Sequence, residues 1–240
     1  MRDLHSHYLP GVDDGSKSID ATKKMLENAA LNGITDIIFT PHYILDSRFM
    51  SSKSTNEKII EPIIRFAKEE YNINVFLGNE VYCNTEIWNL YKKGEITTLN
   101  GSRYMLIEIP MYSKINNVKS IFFELISNGI VPILAHPERY TAYYNDIDFF
   151  LDLRNMGVLM QMNASSVVGD YGRKAKKMVT KLLKANLISF VGTDIHSEYE
   201  EKNNLIPKIE KRLKKIVGED KFIEITINNF ARVIRNEDIL

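Results

Sequence analysis

One cysteine, Cys83, stands in a chain of 240 residues, so no disulfide can form within it and the fold is not a stapled secreted scaffold. A reducing, cytoplasmic setting is the expectation. Charge of one sign is missing too: 31 lysines and arginines meet 31 acids with no long block of either, which leaves neither nucleic acid nor an anionic membrane as principal partner. Apolar runs such as the one from Ile121 to Ile126 are far shorter than the ~20 residues that cross a bilayer. The N-terminus has no signal-peptide pattern, so no membrane insertion is expected. Familiar catalytic signatures are absent: there is no Gly-x-Ser-x-Gly elbow, Walker loop or Gly-x-Gly-x-x-Gly fingerprint. Six positions after Cys83 stands Asn89, which rules out the Cys-x5-Arg arrangement of thiol-dependent phosphatases and leaves the cysteine a structural or surface role. Repeats and low-complexity linkers are lacking as well. With 44% hydrophobic residues the chain can bury one sizeable core, and residues 1–240 read as a single α/β domain of barrel size.

What is present begins with His5-Ser6-His7. If the run from Asp3 is a strand, both imidazoles face one side and can converge on one ion, although two neutral rings need carboxylates to hold it. The rest of the chain supplies them. A turn-rich loop carries Asp13 and Asp14, and a helix from Ile19 to Asn32 ends at Gly33. The strand from Ile34 to Thr40 runs into Pro41-His42. A capping box at Ser54-Thr55-Asn56-Glu57 opens a helix to Tyr71 in which Pro62 is expected to make a kink. Val75 to Leu77 leads to Gly78-Asn79-Glu80, a helix covers Thr85 to Lys93, and the continuously apolar Tyr104 to Ile109 carries Glu108. After a helix from Asn117 to Asn128, Ile130 to Ala135 delivers His136-Pro137-Glu138-Arg139. A helix from Ile147 to Met156 precedes a strand from Val158 to Met162 that leads to Asn163. A basic amphipathic helix spans Asp170 to Asn186, and the apolar residues around Val167, Val168 and Tyr171 read as its packing rather than as an interface. The seventh strand, Leu187 to Val191, ends in Thr193-Asp194-Ile195-His196, and the chain is helical from Asn204.

Strands alternating with helices imply a mostly parallel sheet, and the parallel barrel collects its strand ends on one face, where active sites are built. All five histidines, His5, His7, His42, His136 and His196, fall at such ends. Glu80 and Glu108 have no lysine or arginine in their strands, and metal ions would satisfy both. The candidate ligands, nine in all, exceed what one ion needs. Two or three ions and hydrolysis by metal-bound hydroxide are expected, with a water pKa lowered toward ~7.

These residues resemble a known family. Asp3-Leu4-His5-Ser6-His7, Val12-Asp13-Asp14-Gly15, Thr40-Pro41-His42, Gly78-Asn79-Glu80, Leu106-Ile107-Glu108, Ala135-His136-Pro137-Glu138-Arg139-Tyr140 and Thr193-Asp194-Ile195-His196 are similar to motifs of the polymerase-and-histidinol-phosphatase (PHP) superfamily. Within it they resemble the manganese-dependent bacterial protein tyrosine phosphatases of capsule and exopolysaccharide operons, the CpsB/CapC family. The resemblance implies the PHP fold, a distorted TIM-like (β/α)7 barrel. It implies three metal sites: His5, His7, Glu80 and Asp194; Glu80 as a bridge with Glu108 and His136; and Asp14, His42 and His196. It implies Mn2+, with iron, zinc or magnesium as alternatives, a bridging hydroxide that attacks phosphorus, and Arg139 on the phosphoryl oxygens, with His136 and Asp194 as the other catalytic residues. The implied substrate is the phosphotyrosine tail of a bacterial tyrosine kinase, in an enzyme that an oligomer could form. A small-molecule phosphoesterase and a non-catalytic, metal-stabilised binding module remain as alternatives. Two positions depart from the pattern. Arg2 replaces an apolar residue, which points to a short first strand, and Glu201 stands where many relatives carry an arginine, leaving Lys202 or Arg48 to supply the second cation.

Overall fold

The structure is a computed structural model that describes residues 1–144, 146–199 and 205–239. In chain order the main elements are β1 (Arg2–Asp3), α1 (Ile19–Leu31), β2 (Asp36–Phe39), β3 (His42–Tyr43), α2 (Lys53–Tyr71), β4 (Asn74–Leu77), β5 (Glu80–Tyr82), α3 (Ile87–Lys92) and β6 (Tyr104–Glu108). There follow α4 (Val118–Ser127), β7 (Val131–Ala135), α5 (Ile147–Asn155), β8 (Leu159–Asn163), α6 (Gly172–Lys184), β9 (Phe190–Gly192), α7 (Leu205–Val217), α8 (Glu219–Ile223) and α9 (Asn229–Ile234). The strands pair in parallel throughout, as a three-stranded sheet in the order β1-β2-β4 and a six-stranded sheet in the order β3-β5-β6-β7-β8-β9.

The seven expected strands correspond to seven staves, two of which are broken. The second stave is β2 followed by β3, interrupted at Thr40-Pro41; the third is β4 followed by β5, interrupted at Gly78-Asn79. Pro41 has no N–H to give a ladder. Asn79 fills the gap, its Nδ2 donating to Pro41 O at 3.1 Å and its Oδ1 accepting from Thr97 N at 3.0 Å. At Gly78 a Cβ would stand 2.6 Å from Leu99 Cδ2, so any larger residue there would have to push the Leu99 side chain aside.

The first stave is shorter than expected. β1 is two residues long, so His5 and His7 lie beyond it rather than within a strand. The barrel closes there without a ladder. Asp194 N donates to His5 O at 2.8 Å and His7 N to Ile195 O at 3.0 Å, while the buried Asp3 carboxylate accepts from Thr193 N at 2.8 Å and Thr193 Oγ1 at 2.5 Å.

Helix boundaries shift in small ways. Ser52, not Ser54, caps α2, its Oγ accepting from Thr55 N, and the helix runs on through Pro62. The C-terminal stretch is divided at Gly218, where φ is +81°. α6 buries Ala175, Met178, Val179, Leu182 and Leu183 and turns its lysines outward, as an amphipathic helix does.

Every residue of β6 is buried, in keeping with a strand covered on both faces. Inside the barrel, Leu4, Ile38, Leu106, Ile133 and Leu159 pack with Phe230 and Val233 of α9. α1 and α2 pack Met25, Leu26, Ile60 and Ile63 onto the three-stranded sheet, and a larger apolar layer joins the six-stranded sheet to the remaining helices. The apolar plug leaves the C-terminal strand ends as the place where polar side chains meet.

Candidate metal centre

His5 Nε2 and His7 Nε2 face each other at 3.1 Å. Glu80 Oε2 lies 3.2 Å from the first and 3.3 Å from the second, and Asp194 Oδ1 lies 3.4 Å from both. Four ligand atoms at these separations have the edge lengths of a coordination polyhedron, because bonds of about 2.1 Å put tetrahedral neighbours about 3.4 Å apart and octahedral neighbours about 3.0 Å apart. All four side chains are buried.

Two further groups adjoin this one. His136 Nε2 is 3.1 Å from Glu80 Oε1 and 3.6 Å from Glu108 Oε1. His42 joins the same group, its Nδ1 being 3.0 Å from Glu80 Oε2. On the outer side Asp14 Oδ1 is 3.5 Å from His42 Nε2 and 3.4 Å from His196 Nε2, and His7 stands close enough to share that group. The nine expected residues therefore converge, with His7, His42 and Glu80 each at a junction. Glu80 Oε2 and His42 Nδ1 are buried without a hydrogen bond. Orphaned acceptors of this kind are costly in a protein interior, and a cation satisfies them, so the donor set fits divalent metal.

Electrostatics point the same way. Burial pulls the His5 imidazole down, but Glu80 and Asp194 outweigh it and raise its pKa to about 9. Burial opposes charge on His7 as well, and Asp13 carries it well above the usual range. Glu80 and Asp194, despite burial, are held well below the carboxylate range, Glu80 by His5 and His42 and Asp194 by His5 and His7. Glu108 goes the other way, pushed up to about 8 by burial and by the Glu80 charge. Protons on the rings offset the crowded carboxylates in the metal-free site, and binding of a divalent ion would release them.

Sequence reasoning missed the residues that aim these ligands. Asp13 Oδ2 accepts from His7 Nδ1 at 2.8 Å and from His42 N at 3.0 Å, which leaves His7 Nε2 for the centre. Gln161 Oε1 pairs with His5 Nδ1 at 2.9 Å, and its Nε2 donates to Asn163 Oδ1 at 3.1 Å. Asn163 Nδ2 donates to Asp194 Oδ2 at 2.6 Å, while Asn163 N and Ser166 Oγ donate to the buried Glu138 Oε1. The available signal was the pair of amides two positions apart in an otherwise apolar β8. His136 and Asp194 hold φ of +30° and +56°, values unfavourable for residues with a Cβ, as is common where function fixes the backbone.

Arg139 follows His136 in a short 3-10 turn and donates from Nη1 to Asp194 Oδ2 at 2.5 Å; its acid partner is Asp194, not the adjacent Glu138. Its guanidinium carbon lies 4.8 Å from the centroid of the Tyr171 ring. Both line a cavity of about 670 Å³ with Asp194, Ile195, His196, Ile206 and Ile209. Tyr171 was expected to pack like its neighbours. Val167 is buried, but the Tyr171 ring faces this cavity instead. On the far side a smaller cavity of about 290 Å³ is bordered by Asp14, Lys17, Arg48 and Phe49, with Arg48 stacked on Phe49 at 4.7 Å. Glu201 and Lys202 lie outside the described residues.

Known proteins resemble this chain in sequence and in shape. A Staphylococcus aureus protein named putative tyrosine-protein phosphatase CapC is 33% identical over 239 residues, covering 100% of this chain and 93% of its own. A chain from the crystal structures of YwqE from Bacillus subtilis and CpsB from Streptococcus pneumoniae, described as unique metal-dependent tyrosine phosphatases, superposes with a TM-score of 0.92 at 27% identity, covering 100% of this chain and 96% of that one. The histidinol phosphate phosphatase of Lactococcus lactis, solved with zinc, L-histidinol and phosphate, shares the fold at a TM-score of 0.59 and 13% identity, over 91% of this chain and 95% of that one. The family model described as capsular polysaccharide synthesis, CpsB/CapC, matches residues 1–235, and the chain belongs to that family.

Proposed function

We propose that this protein is a metal-dependent protein tyrosine phosphatase of a capsule or exopolysaccharide system. The observation that carries the reading is the cluster of His5, His7, Glu80 and Asp194, with edges of 3.1 to 3.4 Å, set beside Arg139 in a barrel like that of metal-dependent tyrosine phosphatases. Residues 1–240 act as one phosphatase domain. His5, His7, Glu80 and Asp194 hold one ion; Glu80, Glu108 and His136 hold a second, with His42 at its edge; Asp14, His42 and His196 hold a third. Manganese suits this mixture of imidazole and carboxylate. What bound divalent ions supply is Lewis-acid polarisation of the phosphoryl oxygens and acidification of water.

The chain's own groups bind and orient the substrate. Arg139 offers the fork of donors that matches a phosphoryl group, and its bond to Asp194 holds it at the rim of the centre in readiness. Asp13 and Gln161 fix the tautomers of His7 and His5 by accepting hydrogen bonds from their Nδ1–H groups, which leaves each Nε2 for the centre. A phenol leaving group has a pKa near ~10, so it departs with less protonation help than an alkoxide would need. The substrate is the phosphotyrosine tail of a bacterial tyrosine kinase, met in the cytoplasm. Among the described residues no helix is long and apolar enough to cross a membrane.

The test is hydrolysis of a phosphotyrosine peptide and of histidinol phosphate by chelator-stripped protein, with and without Mn2+, beside His136→Ala. Peptide hydrolysis should require the ion and fall at least ~100-fold in the variant, in the range typical of lost electrostatic groups. Preference for histidinol phosphate would make the protein a small-molecule phosphoesterase. Folded, metal-loaded protein that hydrolyses neither would make it a binding module.

A further inference from the structure

Tyr171 occupies an odd position. It is the N-cap of α6, where serine, threonine, aspartate or asparagine would normally accept a bond from the helix, and its side chain makes no capping hydrogen bond. A local rule broken at a rim position points to another use for the side chain. The ring is about one-third exposed and turns toward the larger cavity, with the Arg139 guanidinium stacked over it. Ala164, Ile195, Ile206 and Ile209 line the same cavity as Arg139 and Tyr171. Its lining thus joins Arg139 to an aromatic and aliphatic wall, with Ser165, Asp170, Thr193 and His196 as polar neighbours. The smaller cavity across the centre has the opposite character, bordered by Asp13, Asp14, Lys17 and Arg48. A pocket of ~150 Å³ lined by apolar groups already holds benzene. The volume of about 670 Å³ here therefore accommodates a phenyl ring together with the peptide backbone that bears it.

We propose that Tyr171 is a specificity residue: its ring, braced by Arg139, forms one wall of an aryl slot that receives the leaving-group ring, with Ile195 and Ile206 along the rest of the slot. The inference rests on the phosphatase reading above and adds to it the place where the substrate ring lies. A phosphoryl group held by Arg139 directs its ester oxygen toward this cavity, so an aryl ester gains contact that a short alkyl ester does not.

Tyr171→Ser tests the proposal without endangering the fold, because serine restores a capping side chain to α6. Tyr171→Phe keeps the ring. In the metal-loaded protein, kcat/KM for a phosphotyrosine peptide should fall roughly tenfold in the serine variant and stay near wild type in the phenylalanine variant. Hydrolysis of glycerol phosphate should be unchanged in both. Equal loss on both substrates would reduce Tyr171 to an Arg139 support, and no loss would remove it from the site; either result overturns the proposal. Calorimetric binding of phenylphosphonate and methylphosphonate gives a second readout that needs no turnover. Wild type should favour the phenyl compound, and Tyr171→Ser should lose that preference. Should wild type hydrolyse neither ester, the phosphatase reading fails, while the phosphonate pair still decides the slot: a phenyl preference that depends on residue 171 upholds it, and no preference overturns it.

Discussion

Cys83 follows β5 and is 7% exposed, and burial pushes its thiol pKa up to about 12. A buried group whose charged form is disfavoured gains thiolate only far above neutral pH. Its reaction with an aromatic disulfide reagent should therefore rise about tenfold per pH unit up to pH 10 without levelling off, and at pH 8 run on the order of 1,000-fold slower than in unfolded protein, where the thiol titrates near ~8.5. Fast labelling of native protein at pH 8 would show that the site opens. The sequence excluded this residue from catalysis, and its burial agrees. At the same scale, two adjacent acids were not separable from sequence. Asp13 turns inward to His7 Nδ1 and the backbone of His42 and Gly15, whereas Asp14 projects its carboxylate toward His42 and His196. Adjacent loop positions point apart, but which one points inward depends on loop geometry that composition does not encode. Gln161 and Asn163 escaped notice for a similar reason: an amide carries no charge to demand a partner.

Strand ends were legible because each apolar run stops where a histidine or acid begins. The breaks within the second and third staves were not. Pro41 marked an end, yet the chain resumes as β3 once Asn79 has satisfied Pro41 O with its side chain, a contact between residues far apart in sequence. The last strand shows what such closeness demands. A Cβ at Gly192 would stand 2.6 Å from His5 Cβ, 2.9 Å from Gln161 Nε2 and 3.0 Å from His5 N. Gly192→Ala should destabilise the fold by about 1–3 kcal/mol, the usual cost of overpacking, measured by denaturant unfolding. The same variant should bind Mn2+ more weakly, since the displaced ring is one of the cluster. Unchanged stability together with unchanged metal affinity would contradict the close packing of β9 on His5.

Across the whole molecule, the centre gathers residues from position 5 to position 196 and crowds three buried or nearly buried carboxylates, Glu80, Glu108 and Asp194, around it. An ion held only by the folded state should contribute strongly to stability. With free metal ~1,000-fold above its dissociation constant the gain is about 4 kcal/mol, so chelation should lower Tm by on the order of 10 °C. Calorimetry with and without chelator checks this, and coincident transitions would mean that the ligands are not engaged. The seam between β1 and β9, closed by Asp3 and two backbone bonds instead of a ladder, also imposes a timetable. During synthesis His5 and His7 emerge early, and Asp194 follows only after on the order of tens of seconds. Until then the nascent chain has imidazoles without the carboxylate that completes their cluster. A cluster of His5, His7, Glu80 and Asp194 would therefore take up an ion only once the last of them is in place, and the choice among competing metals would fall to the pool that the folded chain meets.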